Sequence, residues 1–214
     1  MTVLTPEDAL HKEAIYSLYN AFRTALINRD GTVAAPLLSG ETLHHFGSLR
    51  DIANQPASKL GGLGPLERLT VLSMQRRLSG ALLVGGTDLE IMTALINEGL
   101  FGAEIADLDL DSVDIVFPEA YGILKVGDQT LPLRLPFVWE EAFATRTDTW
   151  RIHWLSFLPA IRMALRGALS NSGEDADIAL ARLMNWRDDK AASVKKTKTR
   201  SLISRENRHG RDSL

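Results

Sequence analysis

The hydrophobic period changes near residue 106, and this change constrains the fold more than any motif does. Before it, apolar residues recur every three or four positions. After it, they alternate: Leu131, Leu133, Leu135, Phe137 and Trp139 occupy every second position and share one face of a strand. Gly127 and Asp128 give a tight-turn signal between that strand and residues 121–126, which predicts a hairpin. Pro132 and Pro136 fall on the opposite face and remove two ladder donors, so this strand needs an edge, a bulge or a bend. A loop over 144–149 leads into a last strand over 150–155.

The first half reads as helices. Thr5 as cap, Pro6 in the first turn, and Glu7 and Asp8 at the positive end of the dipole open the first one. Leu10, Ala14, Leu18, Phe22 and Leu26 form its expected apolar stripe. Residues 28–31 break it. A second stretch over 33–53 is less regular, in one piece or in two around Pro36 and Ser39. Residues 55–65 are a loop by composition. Gly64-Pro65 starts a third helix through Leu78, with Val71, Met74 and Leu78 on one side. Thr87 and Glu90 make a capping box opening a fourth, with Leu89, Met92 and Ile96 inward and an end near Gly99 or Gly102. Helices first and an antiparallel meander afterwards make an α+β domain with helices packed on one face of the sheet.

Chemical signatures are sparse. The chain has no cysteine, which excludes disulfides, thiolate metal sites and cysteine nucleophiles. There is no P-loop, G-x-S-x-G, H-E-x-x-H or G-x-G-x-x-G, and GGLGPLE fails at the third glycine. Asp107, Asp109 and Asp111 resemble the start of a calcium loop. The sixth and twelfth positions are Ser112 and Pro118, however, where glycine and glutamate are required. Alternation instead puts the three aspartates on a wet face, with Leu108 and Leu110 beneath. His44 and His45 are neighbours on a helix, about 100° apart, and do not converge on one ion. No cofactor and no metal are implied.

The last strand, TWRIHWLSF, following a helical layer and antiparallel strands, resembles the final strand of the nuclear transport factor 2-like (NTF2-like) family over residues 10–158. That resemblance implies helices on a curved antiparallel sheet, here with an added C-terminal helix and a basic tail. Enzymes of that family place Asp, His and Tyr inside a cone between helices and sheet. His153 is the candidate catalytic residue on this ground. Alternation sets Trp150, Ile152 and Trp154 on the better buried face and Arg151, His153 and Leu155 on the other, so His153 reads as a sheet residue looking outward. A ligand pocket, if the cone is open, would be lined by Tyr19, Phe22, Trp139 and Trp154.

The expected organisation is an NTF2-like domain over 1–170, a short helical extension over 171–189 and a basic tail over 190–214. After the last strand, Leu158, Ile161, Leu165 and Leu169 predict a helix that docks back on its own domain, or alternatively a partner or membrane-surface helix. The expected function is non-catalytic association, with a second copy or a protein partner. The alternative is a small-molecule cone pocket with lyase or isomerase activity. No segment is apolar enough to span a bilayer and the start lacks signal-peptide regions, so a cytoplasmic location is expected.

The net charge of −3 hides a division. Residues 190–214 carry eight Lys/Arg against Glu206 and Asp212, a balance of +6, while the remaining 16 basic and 25 acidic residues leave −9. The tail has too few apolar residues to fold alone and is expected to be disordered. Any nucleic-acid or acidic-partner binding is expected to reside there. Truncation after Asp189 should leave the melting temperature nearly unchanged and abolish binding to a polyanion such as heparin. A much earlier melt, or retained heparin binding, would refute this division of labour.

Overall fold

The computed structural model describes residues 6–55, 57–102, 105, 107–141 and 148–172. The helices are α1 (Pro6–Asn28), α2 (Gly31–Ala34), α3 (Gly40–Ala53), α4 (Pro65–Arg77), α5 (Gly80–Gly85) and α6 (Asp88–Asn97). Strands β1 (Asp109–Val116), β2 (Glu119–Val126), β3 (Gln129–Glu141) and β4 (Asp148–Ile152) follow, then α7 (Leu158–Ser172). The α+β class read from the sequence is the one found, as an antiparallel meander in the order β1-β2-β3-β4. Contacts divide the chain into Met1–Gly167 and Ala168–Leu214. Of the second unit only 168–172, the last turn of α7, is described, so the expected extension and tail lie outside the described residues, as does the Thr5 cap.

The helix stripe of α1 differs from the expected one. Ile15, Tyr19, Phe22, Ala25 and Leu26 are buried, whereas Leu10 is 67% exposed. A strict i+4 repeat advances about 40° per step beyond a full turn of a 3.6-residue helix, so Leu10 and Leu26 end on different faces. The stretch after α1 is in pieces: α2, a 3₁₀ turn at Ala35–Leu37 containing Pro36, then α3 capped by Ser39. The capping box is present, with Thr87 N–H donating to Glu90 Oε2 (2.8 Å) and Glu90 N–H to Thr87 Oγ1 (3.2 Å). Gly99, at φ +69°, ends α6. Its N–H bonds Ile96 O and that of Leu100 bonds Leu95 O, the paired pattern that satisfies orphan carbonyls at a helix end. The short α5, between Ser79 as cap and Gly86, has no counterpart in the sequence reading.

In the sheet, Ala120, Leu124, Leu135, Phe137, Trp150 and Ile152 face the helices and are buried. α1 crosses this face and packs on both β1 and β4. The prolines of β3 are accommodated in two ways. The register of β2 on β3 shifts between Ile123 and Lys125, opposite the stretch holding Pro132. β4 pairs only with Phe137–Glu141, so Pro132 has β2 alone beside it and Pro136 lies at the end of the β3–β4 ladder, where a missing donor costs little. A second irregularity in β1, between Leu110 and Ser112, breaks the expected alternation of the aspartates. Asp109 turns to Arg23 of α1 (2.8 Å), while Asp111 meets Lys125 (3.2 Å).

The last strand is shorter than expected. β4 ends at Ile152, and His153 turns the chain into a 3₁₀ helix over Trp154–Phe157. Trp154 is still buried, but through that turn, stacked on Phe157 and packed on Phe101. Arg151, expected to look outward, is only 6% exposed. Burial pushes its pKa down and neighbouring Glu140 pushes it up. After Leu158, which is buried, Ile161 packs on the core and Arg162 pairs with Glu67 of α4 (2.6 Å), so the start of α7 docks on its own domain.

Tyr19 donates to Leu108 O across 2.9 Å, and burial raises its hydroxyl to about 12, with Arg23 lowering and Asp109 raising it. The folded state therefore holds a proton that the unfolded chain loses from pH 10 upward. This contribution is complete below pH 10 and is lost as pH rises to 12, about 3 kcal/mol in all at ~1.4 kcal/mol per unit. Urea titrations of Tyr19→Phe should lack the larger part of this alkaline slope. An unchanged slope would assign it elsewhere.

Candidate functional site

The open face of the sheet carries a cleft where β2, β3 and the start of α3 meet. Its position follows from one junction. Leu38 bridges Ile152 in parallel, and Ser39 N–H donates to Ile152 O (2.9 Å), so the chain entering α3 lies along β4. Ser39 Oγ then caps α3 by accepting from Thr42 N–H (3.2 Å). Thr42 Oγ1 lies 2.8 Å from Ser39 Oγ and accepts from Trp154 N–H (3.0 Å). His153 N–H donates to Pro136 O (2.9 Å), which aims the imidazole at Ser39.

The cleft measures about 340 Å³ and is walled by Glu41, Glu119, Tyr121, Trp139, Glu140 and His153, with Ser39, Pro136 and Val138 completing it. Glu140 Oε1 accepts from Gly40 N–H at the α3 N-terminus (2.8 Å), where the helix dipole favours a carboxylate. Tyr121 donates to Glu119, and this bond holds its hydroxyl above the usual phenol range. Glu41, on the first turn of α3, has a side chain 77% exposed, 3.6 Å from His153 Nδ1.

Serine, histidine and glutamate here look like hydrolytic machinery but are wired differently. A serine nucleophile needs imidazole on one side as base and a carboxylate on the other ring nitrogen. Ser39 Oγ (3.2 Å) and Glu41 Oε2 (3.6 Å) both address Nδ1 of His153. Ser39 is also 1% exposed and committed to capping, so its oxygen does not reach a substrate. Among the described residues, no group of three or more His, Asp or Glu is placed to hold a metal ion.

The four residues expected to line a pocket go to separate places. Tyr19 and Phe22 pack in the core between α1 and the sheet, and Trp154 packs with Phe101 and Phe157. Trp139 alone borders this cleft, as the β3 residue between Val138 and Glu140, while its ring turns to the helix-facing side with Trp150. It also joins a four-ring cluster with His11, Phe117 and Trp150, each pair of centroids lying within 6.3 Å. Trp150 Nε1–H donates to His11 Nδ1 (3.2 Å). An indole only donates, so His11 accepts there as the neutral Nε2–H tautomer.

Sequence reasoning did not bring Glu41, Glu119, Tyr121 and Glu140 together as one site. A local signal existed for the first: Ser39-Gly40-Glu41 is a helix cap followed by an acid in the first turn. Nothing local places Glu140 on a helix start 100 residues earlier. No protein-family model, curated protein or solved structure matches this chain significantly.

The two roles on α3 separate by stability. Ser39→Ala should cost about 1 kcal/mol of unfolding free energy in urea through the lost cap. Glu41→Gln should stay within about 0.5 kcal/mol of wild type, as an exposed surface change. Equal losses would show that Glu41 is structural too.

Proposed function

We propose that this chain is a non-catalytic, NTF2-like binding module that acts by protein association through the open face of its sheet. The observation that carries this reading is the composition of that face. Pairing sets Glu119 between Val116 and Val138, Tyr121 between Asp114 and Pro136, and Ile123 between Ser112 and Arg134. Val116 is 66% exposed, and Tyr121, Ile123, Pro136 and Val138 are partly buried. An apolar centre interleaved and rimmed with charge has the make-up of a protein interface. The wiring of Ser39 and His153 supports binding over catalysis. Filling of the helix–sheet interior by Tyr19, Phe22, Phe137 and Trp154 disfavours the cone-pocket alternative.

Sedimentation velocity of the purified chain at tens of micromolar, with capture of partners from lysate alongside, tests this. Wild type should sediment above monomer mass, or recover a protein that Ile123→Glu/Val138→Glu does not. The double variant should melt within a few degrees of wild type, because neither side chain belongs to the hydrophobic core. A monomer whose captured proteins are the same for both chains would refute the reading.

A further inference from the structure

We infer that the cleft docks a lysine or arginine side chain presented by a basic segment of a protein partner. This rests on the reading of the open face as a protein-binding surface and adds the chemistry of the anchor. The lining of the cleft holds three carboxylates, Glu41, Glu119 and Glu140, and neither lysine nor arginine. Glu140 is balanced by Gly40 N–H and by nearby Arg151, so the excess negative charge belongs to Glu41 and Glu119. Tyr121 supplies an aromatic wall, and Pro136 and Val138 an apolar floor for an aliphatic stem. The volume of about 340 Å³ lies at the small end for ligand sites, which suits one long side chain better than a bulky metabolite. Apolar Val116, 66% exposed and paired with Glu119, continues the surface at its edge. The rest of the partner segment would lie over it.

The charge balance of −9 outside residues 190–214 could attract any basic peptide, so the test compares two variants of equal charge. The probe is a fluorescein-labelled octapeptide with four lysines spaced by alanine, followed by anisotropy with the full-length protein. Glu41→Gln/Glu119→Gln should weaken binding about tenfold, and acetylation of the lysines should abolish it. Glu13→Gln/Asp107→Asn, which removes two charges elsewhere, should weaken it by less than about twofold. Tyr121→Leu should weaken it by about threefold, the expected loss of a cation–π wall. Equal losses in the two charge variants, or no binding by wild type, would overturn the anchor. If the octapeptide fails while Ile123→Glu/Val138→Glu still removes association, only the anchor is lost and the binding face stands. If that double variant changes nothing, the face itself is lost.

Discussion

The junction of residues 38–42 with 152–154 holds the helical layer to the sheet. Two buried hydroxyls, Ser39 and Thr42, sit where α3 begins and β4 ends. Between them they accept from the amides of Thr42 and Trp154, while Ser39 N–H pairs with Ile152 O. Each of these groups would cost about 1–3 kcal/mol if buried without a partner, and together they fix one arrangement. The end of β4, the cap of α3 and the aim of His153 are therefore one event. The cleft exists because that event brings Glu41 beside residues of β2 and β3.

The opposite side of the sheet is secured by α1. Tyr16 and Tyr19, one turn apart, donate to Asp111 O and Leu108 O, and Arg23 reaches Asp109. Side-chain donors thus occupy carbonyls at the start of β1, the strand at the sheet's edge, and its aspartates discourage pairing with another strand. At the other end of α1, His11 accepts from Trp150 of β4. The same helix spans the sheet from β4 to β1, which is why its buried residues follow Ile15, Tyr19, Phe22 and Leu26 rather than a row of every fourth position.

The class of fold was legible because period is a local property. Five alternating apolar residues specify the face of β3, and Thr87 with Glu90 specifies the start of α6, whatever surrounds them. Misplaced details depend on distant groups. The irregularity at Leu110–Ser112 redirects Asp109 towards a helix some 85 positions earlier, and no pattern of alternation contains that. β4 stops at Ile152 because Trp154 N–H is taken by Thr42, so His153 turns a corner instead of continuing a strand. Arg151 is buried beside Glu140, a placement that a ranking of residues by hydrophobicity does not produce. The site was less legible than the fold for the same reason. Its carboxylates come from α3, β2 and β3, and each alone is an ordinary surface glutamate.

The charge of the cleft follows from how unequally those three glutamates are compensated. Glu140 lies against the positive end of a 14-residue helix, accepts a backbone hydrogen bond there and has Arg151 nearby. Its negative charge is spent inside the protein, joining β3 to α3. Glu119 accepts from the neutral phenol of Tyr121, which orients a carboxylate without neutralising it. Glu41 stands in solvent beside an imidazole, which offsets its charge only when protonated. A cation seated there would meet a field from these two carboxylates, and neither of them takes part in the hydrogen bonds of the junction beneath.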